Sequence, residues 1–202
     1  MGKTIHKSFR YRIYPNKEQQ NLMNRTLGSC RFVYNHFLNM WNETYQETGK
    51  GLSYGTCSKQ LPSLKSTYPW LKEVDSIAVQ TAVKTLSEAY DRFYKKQNDK
   101  PVFKSRKRPV QSYTTKKTNN NIKIEDNKIK LPKLGWIRFA KSREIQGRII
   151  SVTVRRNGAW CRTSSWLECC DKYWDWRFTP FRGTVRKMQI YNAKPIVLTV
   201  PL

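Results

Sequence analysis

The sequence predicts an α+β fold in which a helical bundle is inserted into a small β-barrel. The first observation is that residues 4–14 alternate apolar and polar side chains, which indicates one half-buried strand. The second is that a long stretch with helical spacing follows, and strand-like alternation returns only in residues 101–162. An isolated first strand needs partners, and the later strands supply them. We therefore expect a barrel of five or six strands, with the helices inserted after the first strand.

The inserted segment predicts several helices. Residues 17–47 keep helical spacing, with Asn16 as the expected N-cap. Gly28 and Ser29 lie in the middle of this stretch, and Gly costs about 1 kcal/mol relative to Ala inside a helix. We expect a break there, giving a helix-turn-helix-like start, although most helix pairs are simply core packing. Further helices are expected at 56–66 and, capped by Asp75 or Ser76, to about residue 97.

The region after Pro101 predicts the remaining strands. Strands are expected at 112–115 and 136–139, and residues 122–124 and 128–131 should form a hairpin around Glu125-Asp-Asn127. Residues 148–156 alternate well and end at Asn157-Gly158, a pair typical of a type I′ turn, with a returning strand from Ala159 onward. Residues 163–202 show no clear period, so we expect an irregular C-terminal tail.

Charge is the strongest indication of function. The chain has 202 residues, with 39 Lys and Arg against 14 Asp and Glu, a net charge of +25. Such an excess repels itself in the folded state and favours a polyanionic partner, nucleic acid first and an anionic membrane surface second. No apolar run approaches the ~20 residues that span a bilayer, and the N-terminus lacks the apolar core of a signal peptide. We expect a cytoplasmic protein with no membrane partner.

The cysteines do not predict a metal site. They number five, none forms a Cys-x-x-Cys pair, and the chain has two histidines. Zinc sites need four such ligands at characteristic spacings, so reduced thiols are the better interpretation and no cofactor is expected.

A basic run at residues 103–108 marks the expected binding surface. Lysine and arginine near phosphate release counterions, and aromatic side chains such as Tyr113 and Trp136 can stack on bases. The alternative is an ordinary solvated face, which the overall charge disfavours. The predicted nucleic-acid-binding residues are Arg10, Arg12, Arg31, Lys104, Arg106, Lys107, Arg108, Gln111, Tyr113, Lys133, Trp136 and Arg138.

Several short stretches resemble, in order and spacing, the N-terminal part of the OrfB/TnpB family of insertion-sequence transposases. The resemblance covers about four-fifths of the chain. The matching stretches are Phe9-Arg-Tyr-Arg-Ile-Tyr-Pro15, Leu27-Gly-Ser-Cys-Arg-Phe-Val-Tyr-Asn35, Phe103-Lys-Ser-Arg106, Gln111-Ser-Tyr113, Leu131-Pro-Lys-Leu-Gly-Trp-Ile-Arg-Phe139 and Val152-Thr-Val-Arg-Arg-Asn-Gly158.

The resemblance implies a compact RNA-guided DNA nuclease. In that family a wedge-type β-barrel is interrupted by a helical recognition domain, and a RuvC-like domain with three carboxylates and an inserted zinc ribbon follows. By this resemblance, residues 1–15 give the first barrel strand and 16–100 the recognition domain. Residues 101–162 give the rest of the barrel, and 163–202 an irregular remnant of the RuvC start.

The chain departs from the family where catalysis would begin. In place of a Gly-Ile-Asp-Leu-Gly-like motif it reads Lys172-Tyr-Trp-Asp-Trp-Arg177, and the later catalytic acids and zinc ribbon have no counterpart. We expect a truncated or frame-disturbed copy with no catalytic or metal-binding residues. Glu168, Asp171 and Asp175 are expected to be solvated rather than a two-metal site.

Four functions remain open at this stage. The first is a fragment that binds guide RNA or DNA without cleaving it, and the second is a nuclease-dead DNA-binding regulator. The third is an active nuclease that relies on a separately encoded RuvC half. The last is a non-functional remnant of a mobile element.

Overall fold

The computed structural model describes residues 6–145, 147–157 and 194–201. The chain divides into two compact units. We call them the sheet unit, whose described residues are 6–18, 108–112, 117–145, 147–157 and 194–201, and the helical unit, which comprises 19–107 and 113–116.

The described strands form one sheet, with β2 and β3 as its two edge strands. Their order is β2-β6-β7-β1-β5-β4-β3, so the described strands form an open sheet and the predicted barrel is not closed by them. The strand β2 begins in the sheet unit and ends in the helical unit. The bounds are β1 His6–Tyr14, β2 Val110–Lys116, β3 Lys123–Glu125, β4 Lys128–Leu131, β5 Gly135–Ala140, β6 Ser151–Asn157 and β7 Lys194–Pro201.

Strand β1 lies inside the sheet, and the prediction that it pairs with later strands is confirmed. It pairs antiparallel with β5, where Ile13 is opposite Phe139, and with β7 along eight residues. Tyr11 and Ile13 are buried, and the Tyr11 ring meets the Phe139 ring edge-to-face at 5.2 Å between centroids. Alternate residues of β4, β5 and β6 complete this core: Ile129, Leu131, Ile137, Phe139, Val152 and Val154.

The predicted hairpin around Asp126 is confirmed. Strands β3 and β4 pair antiparallel with Glu125 opposite Lys128, so Asp126 and Asn127 form a two-residue turn. Asp126 has φ +45°, the left-handed conformation that Asp and Asn tolerate better than most residues. The turn residue Lys133 and Gly135, the first residue of β5, also have positive φ, which lets β4 reverse tightly into β5.

The prediction of an irregular tail is wrong for its last part. Residues 194–201 form β7, which lies between β1 and β6 and pairs antiparallel with both. The predicted Asn157-Gly158 turn and the strand from Ala159 onward lie outside the described residues, as does 163–193.

The helical unit contains three helices and a short 3-10 turn. They are α1 Lys17–Thr48, α2 Tyr54–Thr67, the turn Pro69–Lys72 and α3 Ser76–Tyr94. The predicted cap of α3 is confirmed, because the Asp75 carboxylate accepts from the Ile77 N–H at 2.9 Å. In the part of the chain that the structure describes, no helix combines the length and apolar composition that crossing a bilayer requires.

The predicted break at Gly28 is wrong, because α1 is continuous from Lys17 to Thr48. The buried stripe runs through this point, with Leu27 and Cys30 on either side. The Ser29 hydroxyl donates to the Arg25 carbonyl at 2.8 Å, one turn back in the helix. Burial of each large apolar side chain contributes about 1.5–3 kcal/mol, which outweighs the cost of one glycine.

Candidate nucleic-acid interface

One face of the sheet unit is basic and aromatic. Its side chains alternate along β1, β4 and β5 with the buried core residues, so they lie on the opposite side of the sheet from the core. Six of them are exposed, and Arg12 is partly buried. We call this set the outer face: Arg10, Arg12, Tyr14, Lys128, Lys130, Trp136 and Arg138.

Strand register arranges the outer face in two rows. Tyr14 is opposite Arg138, which is in turn opposite Lys128, so three strands contribute to one row. In the next row Trp136 is opposite Lys130. Directly opposite residues of an antiparallel pair have Cβ atoms about 4.5–5.5 Å apart, so each aromatic ring has a cation beside it.

The two aromatic rings of the outer face remain accessible. Trp136 is 38% exposed and Tyr14 is 41% exposed. The Arg138 guanidinium lies 5.1 Å from the Tyr14 ring centroid, a cation–π distance. An exposed ring with a cation on it offers a stacking surface for a base and a charge for its phosphate at the same place.

Like charges also come together at the other end of β1. Arg10 is opposite Val197 of β7, which is opposite Thr153 of β6, and Arg155 lies two residues further on the same face. The pKa of Arg155 is lowered, first by burial and then by the positive charge of Arg10. Such mutual repulsion is relieved when a polyanion binds.

In the helical unit, the segment from Phe103 to Lys107 is attached to α1 by Asn35. The Asn35 amide donates to the Lys104 carbonyl at 3.0 Å and accepts from the Lys104 N–H at 2.8 Å. Both backbone groups of one residue are therefore bound by one side chain. The Lys104 ammonium lies 3.8 Å from the Tyr34 ring centroid, which places this charge on α1.

The other predicted cations of this run have different surroundings. Arg106, Lys107 and Arg108 are exposed. The pKa of Arg31 on α1 is lowered, by burial first and then by Arg106, which places these two guanidinium groups near each other. We call the segment 104–108 the basic loop. In the sheet unit, the Gln111 amide donates to the Arg108 carbonyl at 3.5 Å.

Tyr113 requires a correction. It is 5% exposed, and its hydroxyl is buried with no hydrogen-bond partner in the described part of the chain. Burial raises its pKa far above the ordinary value, and Cys30 and Asp75 raise it further. A ring enclosed in this way cannot stack on a base, so Tyr113 belongs to the core of the helical unit.

Lys133 is exposed in the turn between β4 and β5.

Sequence reasoning missed four residues of these surfaces. Tyr14, Lys128 and Lys130 belong to the outer face, and Asn35 holds the basic loop. Lys128 and Lys130 could have been found from the Glu125-Asp-Asn127 turn, because a two-residue turn fixes the register of β3 and β4. Tyr14 could have been found from strand alternation, which places it on the same side as Arg10 and Arg12. Asn35 carried no comparable signal, since its partner is 69 residues away.

The described cysteines are buried thiols. Burial raises the pKa of Cys30 to about 12 and that of Cys57 to about 11. Both therefore stay protonated at neutral pH, and a protonated thiol is a poor metal ligand. Within the described residues, no three His, Cys, Asp or Glu side chains come together as metal ligands would.

The geometry defines a sheet face on which cations lie beside exposed aromatic rings, and comparison with known proteins gives the family of the chain. A family profile described as a helix-turn-helix domain of the OrfB/IS605 type matches residues 1–50. "Virulence protein VsdF" of Salmonella dublin is 37% identical over 87 residues, which cover 39% of this chain and 73% of that protein. The chain belongs to the OrfB/TnpB family of insertion-sequence transposases.

Two longer relatives carry a more specific description. "Putative RNA-guided DNA endonuclease InsQ" of Escherichia coli (strain K12) is 33% identical over 156 residues, covering 76% of this chain. "Putative RNA-guided DNA endonuclease" of Streptomyces pristinaespiralis is 34% identical over 110 residues, covering 54% of this chain. This chain spans 38% of the first relative's length and 27% of the second's.

The Asn35 attachment predicts a specific loss of order. Asn35→Ala removes two hydrogen bonds to the Lys104 backbone, each contributing about 0.5–1.5 kcal/mol. We expect residues 103–107 to exchange their amide hydrogens faster and the free energy of unfolding to fall by about 1–3 kcal/mol. Hydrogen exchange read by mass spectrometry and a urea titration would measure both.

A matched control lies one turn further along α1. The Asn39 amide donates to the Glu43 carboxylate at 2.7 Å on the exposed surface, so Asn39→Ala should cost no more than about 0.5 kcal/mol. Equal effects of the two variants on the basic loop would show that Asn35 does not hold it.

Proposed function

We propose that this chain binds nucleic acid, guide RNA or target DNA, and that its described residues supply binding rather than cleavage. The observation that carries the proposal is the outer face, where two exposed aromatic rings are each paired in register with a cation. Phosphate contacts by Lys and Arg position a nucleic acid, while ring stacking accepts any base. Membership of a family whose relatives are described as RNA-guided endonucleases supports the same proposal.

The basic loop is the second proposed contact surface. Its backbone is fixed on α1 by Asn35, so the exposed Arg106 and Lys107 side chains extend from a held segment. Holding a loop before binding lowers the entropy that binding must cost. We expect Lys104 to contribute less to phosphate binding than Arg106, Lys107 or Arg108, because its ammonium already lies on the Tyr34 ring.

The two units differ in composition, one built from strands and the other from helices. We propose the sheet unit as the wedge-type part and the helices as the recognition part, both acting as RNA- and DNA-binding elements. The same surfaces would serve a nuclease-dead DNA-binding regulator. Duplex DNA as the preferred ligand would favour that second function, and structured RNA would favour a guide-binding one.

Cleavage is not proposed for the described residues, because no three His, Cys, Asp or Glu side chains among them come together as metal ligands would. Glu73 pairs with Arg25, and Glu88 lies 3.9 Å from both Lys84 and Arg92. Metal-dependent hydrolysis instead needs carboxylates that converge on ions about 4 Å apart. Glu168, Asp171 and Asp175 lie outside the described residues.

The outer face predicts a change in salt dependence. Replacing Lys128, Lys130 and Arg138 together by Ala should flatten the slope of log K against log salt by up to about three units if all three contact phosphate. Fluorescence anisotropy with a labelled structured RNA and a labelled DNA duplex, each titrated at several salt concentrations, measures the slope. A parallel variant with Arg106, Lys107 and Arg108 replaced by Ala tests the basic loop in the same way.

The control variant removes the same number of positive charges from a different part of the protein. Lys50, Lys59 and Lys72 are exposed in the helical unit and outside both surfaces, so their triple replacement by Ala should leave the slope nearly unchanged. If the control flattens the slope as much as the outer-face variant, binding responds only to net charge and the proposed surface is wrong.

Trp136 separates stacking from charge. Trp136→Ala should weaken binding to a single-stranded oligonucleotide by about 1–3 kcal/mol while leaving the salt slope unchanged, because a neutral ring releases no counterions. Tyr113→Phe is the buried comparison and should leave affinity unaltered. An unchanged affinity for Trp136→Ala would remove stacking from the proposal.

The absence of cleavage is tested with the same polypeptide. Purified protein, RNA, Mg²⁺ or Mn²⁺ and plasmid or linear DNA should give a bound complex and intact DNA. Metal-dependent cutting that Asp171→Ala or Asp175→Ala abolishes would contradict the prediction and place an active site in the segment after Arg162.

A further inference from the structure

A separate cavity lies at the free edge of the sheet unit. It has a volume of about 470 Å³. It is bordered by β3 and the residues before it on one side and by Lys141, Ile145 and residues 147–149 on the other. Among the described strands β3 is the last in the sheet, with β4 on one side only. An edge strand presents backbone N–H and C=O groups that a ligand can pair with.

The cavity combines an apolar floor with a cationic rim. Ile124 and Ile145 are partly exposed and supply its floor, whereas Ile122 and Ile149, which also border it, are buried. The rim carries four cations, Lys117, Lys123, Lys141 and Arg148. Its volume lies within the about 300–1,000 Å³ of small-ligand sites, and its lining is more polar than apolar.

The acids are confined to one end. Glu125 and Asp126 line the cavity at the β3–β4 turn, where Asp126 is held in the left-handed conformation. Anionic oxygens there accept hydrogen bonds from an amino group, whereas the cations of the rim attract a phosphate. The Asn120 side chain also lines the cavity and offers both a donor and an acceptor.

We infer that this cavity binds one unpaired nucleotide of a single strand, with its base on the isoleucine floor and its phosphate at the cationic rim. The flat base matches the floor, and the anionic phosphate matches the cationic rim. The amino group of the base matches the acidic end. The acidic end favours bases with an amino group over uracil, as carboxylates do with the cytosine amino group. This inference rests on the proposed nucleic-acid binding and adds a nucleotide pocket distinct from the outer face.

The ligand test uses a pair of nucleotides that differ at one position. Cytidine 5′-monophosphate carries an amino group where uridine 5′-monophosphate carries an oxygen. We expect the cytidine nucleotide to bind roughly tenfold more tightly and to shift the NMR methyl signals of the cavity isoleucines. Inorganic phosphate and cytidine without phosphate are the two further ligands, and each should bind more weakly than the whole nucleotide.

The variants assign the binding to the cavity. Lys141→Ala with Arg148→Ala should weaken binding of the cytidine nucleotide by roughly tenfold, whereas Lys59→Ala with Lys72→Ala, which removes the same charge from the helical unit, should not. Glu125→Gln with Asp126→Asn should reduce the preference for cytidine over uridine. Asn at 126 accepts the left-handed backbone, so this variant keeps the turn, and circular dichroism confirms that each variant is folded.

The possible outcomes separate the two proposals. If inorganic phosphate binds as tightly as the nucleotide and the isoleucine signals do not move, the cavity is an anion surface only and the inference is overturned. If no nucleotide binds there but long nucleic acids still bind with the salt dependence of the outer face, only the pocket is wrong. If neither binds, the proposed function fails as well.

Discussion

The sheet unit depends on the position of β1 between β5 and β7. This strand precedes the helices in the chain, and its neighbours follow them. The pairing of Ile13 with Phe139 therefore closes a long chain segment that contains all three helices. Closing a long loop costs only slightly more entropy than closing a shorter one. The contacts of the buried β1 side chains offset this entropy cost. They include the Tyr11–Phe139 ring contact and a hydrogen bond that the Tyr11 hydroxyl donates to the Arg143 carbonyl.

The same alternation that buries one face creates the charged one. Once Ile129 and Ile137 are fixed in the core by register, Lys128, Lys130 and Arg138 must project from the other face. Their concentration is unfavourable in the free protein, as the lowered pKa of Arg155 beside Arg10 illustrates. A polyanion bound to this face would offset the repulsion, which is the physical reason behind the proposed nucleic-acid binding.

The sequence predicted the features whose cause is local. The Asp75 cap, the hairpin at Asp126 and the strand at residues 6–14 each depend on a few neighbouring residues. The pairing of β1 with later strands was also predicted, but three other features that depend on distant partners were missed. Gly28 stays helical because the stripe around it is buried, residues 194–201 form β7 because β1 and β6 offer two edges, and Tyr113 is enclosed because β2 ends in the helical unit. No local pattern carries that information.

Two of the motifs that carry the family resemblance contact each other in the fold, apart from any role in binding. The stretch ending at Asn35 and the stretch beginning at Phe103 are separated by most of the helical unit, yet they meet through two hydrogen bonds and the contact of Lys104 with Tyr34. Each motif therefore constrains the other. A signature of this kind identifies the fold first, and exposed residues such as Trp136 are better candidates for recognition.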